Sequence, residues 1–391
     1  MTTQSSQPFP VVFIGAGNVM FGSDEGPWNQ ALRWEQKLGS RLNMLAVVDP
    51  DVARVKKTLE TKRGDPALRS AYANTESFPN IDELIKAYAG KEDTVKAFVI
   101  GTPPAFRGGV TPGKNDIELK VVKAFPHAHL LVEKPVAAGE IDDAFTVARA
   151  IDATKVGSAE RVVSVAYMLR YLKASTYIKR VIEAKNLTVM ATHARYATAY
   201  TAIAKPFWWD KAASGGPIVE QGTHFCDLSR YFGGNVAPNS VQARATEWNE
   251  PAGKLSKIPS PVDESKVPEE RRIPRVTSAS WKYENGAVGN LVHIVGLQGT
   301  AYSCEIEVFA DGYLFKLEDP YGRPLLRVRT PESDEEEIHT FEGDDPFFNE
   351  VSAFVDVIDG GAPSSILSSF LDACGTYQLS WDIRNASEIK V

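Results

Sequence analysis

Val11-Val12-Phe13-Ile14-Gly15-Ala16-Gly17-Asn18-Val19-Met20 is the stretch from which the rest of the chain is read. Its four apolar residues are too few for a signal-peptide core or a membrane span, and too uniformly apolar for a half-exposed strand. They suit a strand buried on both faces. Glycines after such a strand let the backbone turn tightly and approach a pyrophosphate, whose charge sits on the N–H groups of the next helix. With 29 glycines in 391 residues, a G-x-G is expected by chance about twice, so its neighbourhood must decide.

That neighbourhood is favourable. Met44–Val48, Ala97–Ile100 and Leu130–Val132 are further short apolar runs, each ended by Asp, Gly or Glu, and amphipathic segments such as Ile81–Tyr88 lie between them. The alternation predicts a doubly wound α/β Rossmann domain with a parallel sheet over residues 1–160. Met20 stands where a third Gly or Ala is usual, and Phe21–Asn29 reads as an inserted loop before a helix that starts at Pro27 or later. Asp49, at the end of the second strand, can accept hydrogen bonds from ribose hydroxyls and would repel a 2′-phosphate. It could equally cap the helix after Pro50. NAD is therefore the expected cofactor, with NADP left open by Arg54 and Lys56. Strand ends line the ligand crevice in such a sheet, which draws in Thr102-Pro103-Pro104 and Glu133-Lys134-Pro135. The expected cofactor contacts are Gly15, Gly17, Asn18, Val19, Met20, Asp49, Thr102, Pro103, Glu133 and Lys134.

The second half, 161–391, reads as an α+β domain with a large, mostly antiparallel sheet. A helix is predicted near Tyr171–Lys185, and a Pro-rich polar stretch from Asn249 to Arg275 reads as a long surface excursion. Val276–Tyr283 and Val288–Val295 flank an Asn285-Gly286 turn, and Asp311-Gly312 joins Ile306–Phe309 to Leu314–Leu317. The acidic run Glu332–Glu337 reads as a solvated loop. Helical pattern returns at Phe347, and Gly360-Gly361-Ala362-Pro363 separates two helices.

Composition narrows the function. The formal charge is −7, with 43% hydrophobic and 24% charged residues, an ordinary globular balance without a broad basic face for nucleic acid or membrane. Cys226, Cys304 and Cys374 lack C-x-x-C spacing, which fits a reducing, cytoplasmic compartment. The start, Met1–Gln7, is polar and reads as a flexible tail.

The last chemistry-bearing run is Gly215-Gly216-Pro217-Ile218-Val219-Glu220-Gln221-Gly222-Thr223-His224-Phe225-Cys226-Asp227. If Ile218–Phe232 is one helix stopped by Gly233-Gly234, Glu220 and His224 share a face at i,i+4, and Asp227 could orient the imidazole. A purely structural histidine satisfied by Asp227 fits the same spacing. A Glu-His metal pair also fits it, though no third ligand is placed, and no metal is expected. Gly222 inside the helix marks a close approach.

Taken together and in order, these motifs resemble the Gfo/Idh/MocA oxidoreductases, relatives of glucose–fructose oxidoreductase and inositol dehydrogenase, over nearly the whole chain. The resemblance rests on Gly15-Ala16-Gly17, Thr102-Pro103-Pro104, Glu133-Lys134-Pro135 and the run ending in Asp227. Trp208-Trp209 and Phe347-Phe348-Asn349-Glu350 add to it. It implies a nicotinamide-binding domain followed by the sheet domain, with substrate bound between them. Lys134, His224 and Glu220 are implied as the catalytic set, Glu220 standing where the family has Asp. Tyr167, Arg170 and Trp209, with those three, are implied to contact substrate. Arg107 replaces a usual histidine, through either an anionic substrate or a changed phosphate contact. The implied activity is an NAD(P)-dependent oxidation or reduction at a hydroxyl or carbonyl carbon of a sugar, polyol or related carbohydrate, by a homodimer or homotetramer formed through the C-terminal sheet. A non-catalytic NAD(P)-binding regulator, a redox-assisted glycosidase and an imine or tetrapyrrole reductase remain alternatives on the same scaffold.

Overall fold

The apolar runs become strands because their side chains find cover on both faces. In a computed structural model describing residues 7–23, 26–156, 159–255 and 261–389, six strands form the first sheet. They are β1 (Phe9–Ile14), β2 (Leu42–Val48), β3 (Glu76–Phe78), β4 (Ala97–Ile100), β5 (His129–Val132) and β6 (Val163–Val165). Their order is β3-β2-β1-β4-β5-β6, with every neighbouring pair parallel. β4 and β5 are buried at every residue, as expected of strands covered on both faces. The tail expected over Met1–Gln7 lies outside the described residues except for Gln7, as do Asp24 and Glu25 of the expected insertion. The helix after that insertion starts at Gln30, capped by Asn29, whose side chain accepts from Leu32 N–H at 3.0 Å.

The second sheet has eight strands. β7 (Val189–Ala199), β8 (Gln242–Thr246), β9 (Val276–Lys282), β10 (Val288–Leu297), β11 (Ser303–Ala310), β12 (Tyr313–Glu318), β13 (Leu325–Thr330) and β14 (Ser333–Thr340) lie in the order β8-β9-β10-β7-β11-β12-β13-β14. Only the β10–β7 pair is parallel. Both turns expected in sequence are present. Asp311 and Gly312 adopt φ of 44° and 85°, the paired positive values of a two-residue hairpin turn.

Two expectations change, and the surface excursion gains an anchor. The acidic run is no loop: from Ser333 it forms edge strand β14, paired with β13, where Arg329 meets Asp334 and Arg327 meets Glu336. Charge along an exposed edge blocks further strand addition, so the composition of a solvated loop also suits this strand. The Pro-rich excursion is anchored, since its Ile273 is wholly buried in a cluster with Tyr200, Ile203, Trp208, Trp209 and Val295. Arg275 Nη2 there reaches both carboxylate oxygens of Glu264, at 2.9 and 2.7 Å. Pro259 lies outside the described residues. Finally, 161–391 is not one body. One compact unit comprises Met1–Met168 with Asp345–Cys374, the other Leu169–Asp344 with Gly375–Val391. Helix Pro346–Ile358 belongs to the first because Val351, Phe354 and Val355 share its core with Trp34, whose ring meets Phe354 edge-on at 5.9 Å. Among the described residues no helix is long and apolar enough to cross a membrane.

Candidate functional site

In the first unit, the turn after β1 is built by glycine. Gly15 has φ 109°, and a Cβ on it would stand 3.0 Å from the backbone of Gly101 and Thr102. Only glycine lets the ends of β1 and β4 approach this closely. Gly17 is extended, with open space before it where a side chain would project. Its carbonyl accepts from Met20 and Phe21 N–H at 3.0 and 3.1 Å, closing the short helix Asn18–Phe21. Asn18 is exposed and Val19 half-buried, whereas Met20 is wholly buried. A Cβ on Gly101 would lie 2.1 Å from Met20 Sδ. Met20 thus fills the space Gly101 leaves, a packing role for its side chain and the reason a third small residue is unnecessary.

Asp49 accepts from Ala16 N–H at 2.7 Å through Oδ2 and from Asp51 N–H at 2.9 Å through Oδ1. It fastens the glycine turn to the end of β2. The helix cap considered for it belongs instead to Asp51, which accepts from Arg54 N–H at 2.9 Å and pairs with the Arg54 guanidinium at 3.0 Å. A carboxylate offers about four acceptor sites, so Asp49 keeps capacity for ribose hydroxyls. Thr102 Oγ1 is buried without a hydrogen-bond partner at the end of β4, which leaves it a donor and acceptor for a ligand. Open space at Gly17, the close-set Gly15, the Asp49 carboxylate and this hydroxyl fit a bound dinucleotide. Pro103 is exposed on the same turn.

After β5, Glu133 accepts from Gln30 Nε2 at 2.8 Å. Burial raises its pKa, opposed by that hydrogen bond and by the charges of Lys134 and Arg107. Lys134 is half-buried beside it, and the Lys134–Pro135 peptide is cis. Arg107, expected to meet substrate or phosphate, is buried and donates to the carbonyls of Thr102 at 2.8 Å and Val136 at 3.2 Å. It ties together the turns after β4 and β5.

In the second unit the Gly215–Asp227 run is not one α-helix. Ile218–Gly222 is a π-turn and the α-helix proper is Thr223–Gly233. The wider turn changes the backbone from which Glu220 extends, so the single α-helix expected for Ile218–Phe232 is not what sets Glu220 against His224. Glu220 Oε2 accepts from Trp208 Nε1 at 3.0 Å. His224, 9% exposed, meets the Tyr321 ring edge-on at 5.9 Å. A Cβ on Gly222 would meet Ile218 at 3.4 Å and Leu291 of β10 at 3.7 Å, ordinary contacts, so the packing here does not demand the glycine that the sequence reads as a close approach. Asp227 is wholly buried and takes Arg170 Nε at 2.8 Å, Arg170 Nη2 at 2.6 Å and Thr376 Oγ1 at 3.0 Å. Arg170, expected at the substrate, is therefore the buried counter-ion of Asp227.

Trp209 is also displaced from its expected role. It is wholly buried, and its Nε1 donates to Ile203 carbonyl at 2.9 Å, while its neighbour Trp208 holds Glu220. Tyr167 is wholly buried in the first unit. Sequence reasoning missed the phenols. Tyr196 on β7, Tyr302 before β11 and Tyr321 in the β12–β13 loop surround the Glu220 turn. Burial, then neighbouring charge including that of Glu220, pushes all three up, Tyr302 to about 12. Tyr321 is delivered by a tight turn in which Asp319, at φ 46°, accepts from Arg323 N–H at 2.8 Å. The Asp-Pro-Tyr-Gly-Arg-Pro segment announces such a turn but not its target. His293 stacks on Tyr196 at 5.1 Å and faces Gln221 at 3.3 Å, and burial lowers its pKa to about 3. Among the described residues no group of three or more His, Cys, Asp or Glu could hold a metal ion.

Residues 9–161 match the model of the oxidoreductase family with NAD-binding Rossmann fold, and residues 170–313 that of the oxidoreductase C terminal domain. The chain is 44% identical to the uncharacterized protein UNK4.17 of Schizosaccharomyces pombe, over 97% of this chain and 91% of that one. The chain belongs to the Gfo/Idh/MocA oxidoreductase family. Its first unit is the NAD-binding Rossmann domain and its second carries the mostly antiparallel sheet. Among solved structures it resembles levoglucosan dehydrogenase in complex with NADH and levoglucosan, at 16% identity, 97% coverage of both chains and a TM-score of 0.71. UDP-N-acetylglucosamine 3-dehydrogenase from Acidithiobacillus ferrooxidans matches at 16% identity, 97% coverage of both and 0.66.

Proposed function

We propose that this oxidoreductase transfers a hydride between nicotinamide and the carbinol carbon of a sugar, polyol or related carbohydrate. The observation that carries the reading is the polar cluster of the second unit. An imidazole, a carboxylate and three phenols gather there beside one helix turn, in a chain whose other unit binds NAD. Such a cluster offers a polyhydroxylated ligand many hydrogen-bonding partners and aromatic faces. Two structural neighbours are named as dehydrogenases of carbohydrate compounds, which points the same way.

When bound, the nicotinamide accepts or returns hydride at its C4. In the oxidative direction His224 takes the hydroxyl proton as the C–H electron pair departs and the carbonyl forms, a role suited to an imidazole near neutral pH. Lys134 holds the substrate oxygen and stabilises its alkoxide character, so no metal is required for that charge. The reverse reaction returns the proton from the same groups.

The test is a spectrophotometric dehydrogenase screen over aldoses, polyols and uronates with NAD and NADP. Turnover of at least one compound is expected, with His224→Ala and Lys134→Met each lowering kcat on the order of 10²–10⁴. A purified protein that binds NADH tightly and turns over none of them would overturn the carbohydrate dehydrogenase reading.

A further inference from the structure

We propose that Trp208 is a positioning residue that clamps the Glu220 carboxylate, and that this clamp requires Glu rather than Asp at position 220. The inference rests on the dehydrogenase reading for its kinetic consequences.

The indole has one polar atom and it can only donate. Trp208 is 3% exposed, and its Nε1–H reaches Glu220 Oε2 at 3.0 Å. The indole is itself held. Trp209 packs edge-on against it at 5.3 Å and is fixed by its own hydrogen bond to Ile203 carbonyl at 2.9 Å. Arg275 lies over the Trp209 ring at 5.6 Å, and Glu264 holds Arg275. A brace therefore runs Glu264–Arg275–Trp209–Trp208–Glu220, from the Pro-rich excursion to the π-turn. It gives that excursion a purpose beyond covering a tryptophan pair. The π-turn sets the backbone from which Glu220 extends, and the clamp sets where the carboxylate stops, among Tyr196, Tyr302 and Tyr321.

Aspartate would withdraw the carboxylate by one carbon–carbon bond, about 1.5 Å. From 3.0 Å that exceeds the range of a hydrogen bond. Glu220→Asp should therefore behave like loss of the indole donor, although it restores the residue the family resemblance leads one to expect.

The experiment combines nuclear magnetic resonance and kinetics on the full-length chain. Among the 15N-indole resonances, that of Trp208 is assigned by its absence in Trp208→Phe. It should move upfield in both Glu220→Gln and Glu220→Asp, whether or not any substrate is known. With a carbohydrate found in the screen, Trp208→Phe and Glu220→Asp should each lower kcat/KM about tenfold, the scale of a hydrogen bond to a charged group. The double variant should be no worse than the poorer single, and KM for NAD should stay unchanged. Glu220→Gln keeps the side-chain length and serves as the control for folding. A Trp208 resonance unmoved in Glu220→Gln and Glu220→Asp overturns the clamp, as do additive effects in the double variant. Wild-type protein without turnover overturns the dehydrogenase reading instead, and the resonance alone then judges the clamp.

Discussion

Asp227→Asn should cost about 3 kcal/mol of stability. Asp227 is wholly buried, and its oxygens accept hydrogen bonds at 2.8 and 2.6 Å from Arg170 and at 3.0 Å from Thr376. Arg170 is itself 3% exposed, so a neutral amide strands a guanidinium away from water. Removing one member of a buried ion pair costs roughly 3–5 kcal/mol, and the lower end applies because Asn keeps one acceptor. For a unit of this size each kcal/mol moves Tm by about 2–4 °C, so a fall of about 6–12 °C is expected. Differential scanning calorimetry measures it, with NADH affinity as a control because the dinucleotide residues belong to the other unit. Arg170→Met should cost a similar amount. The double variant Arg170→Met/Asp227→Leu should cost less than the two singles together, because no charge is left unpaired. An Asp227→Asn protein melting within 2 °C of wild type, or a double variant as poor as the sum, would refute this account of the helix that carries His224.

Gly101→Ala should lose about 1–3 kcal/mol, since its methyl would overlap Met20 Sδ, and Met20→Ala in the same chain should recover part of the loss in urea unfolding. Wild-type protein should bind NADH more tightly than NADPH, and Asp49→Asn should narrow that difference in fluorescence titrations. Tighter NADPH binding by wild type would show that the carboxylate does not select. His293 titrates near 3, below the ordinary ~6.5, so the unfolded chain takes up its proton first. Its contribution to stability is complete above pH ~6.5 and is lost as pH falls toward 3, by up to about 1.4 kcal/mol per unit. Urea midpoints at several pH values should therefore vary less in His293→Gln, and an unchanged slope would locate the acid sensitivity elsewhere.

What could be read from sequence was whatever burial imposes locally. Val11–Ile14 and Ala97–Ile100 need cover on both faces, and Asp311-Gly312 needs positive φ, so their structures follow from their own composition. The site was legible as a motif and not as a geometry. Nothing in Ile218–Gly222 marks a π-turn, because one extra residue in a helical turn leaves no periodic trace in five positions. Adjacent Trp208 and Trp209 look alike in sequence, and only the turn at Pro206–Trp209 decides which indole reaches Glu220 and which enters the core. Arg107 and Arg170 are polar residues whose partners, Val136 and Asp227, lie 29 and 57 positions away. Pairing over such distances is set by the fold. The run from Glu332 has a loop's composition because an edge strand and a solvated loop share the same need for charge.

The return of helix Pro346–Ile358 to the first unit has a consequence for the order in which the chain becomes a protein. Translation delivers the Rossmann strands within the first 165 residues, yet the Phe354 face that completes the packing of Trp34 emerges almost 190 residues later. Strand β7 waits as well, because β10 and β11, its two neighbours, are made about 100 residues after it. A nascent chain halted in between would carry an uncovered tryptophan and an unpaired central strand, the kind of surface that invites aggregation and chaperone capture. Neither unit can finish folding before Phe354 and Thr376 have been made, since the first closes the core around Trp34 and the second bonds Asp227, and maturation of this oxidoreductase is in that sense a single late event.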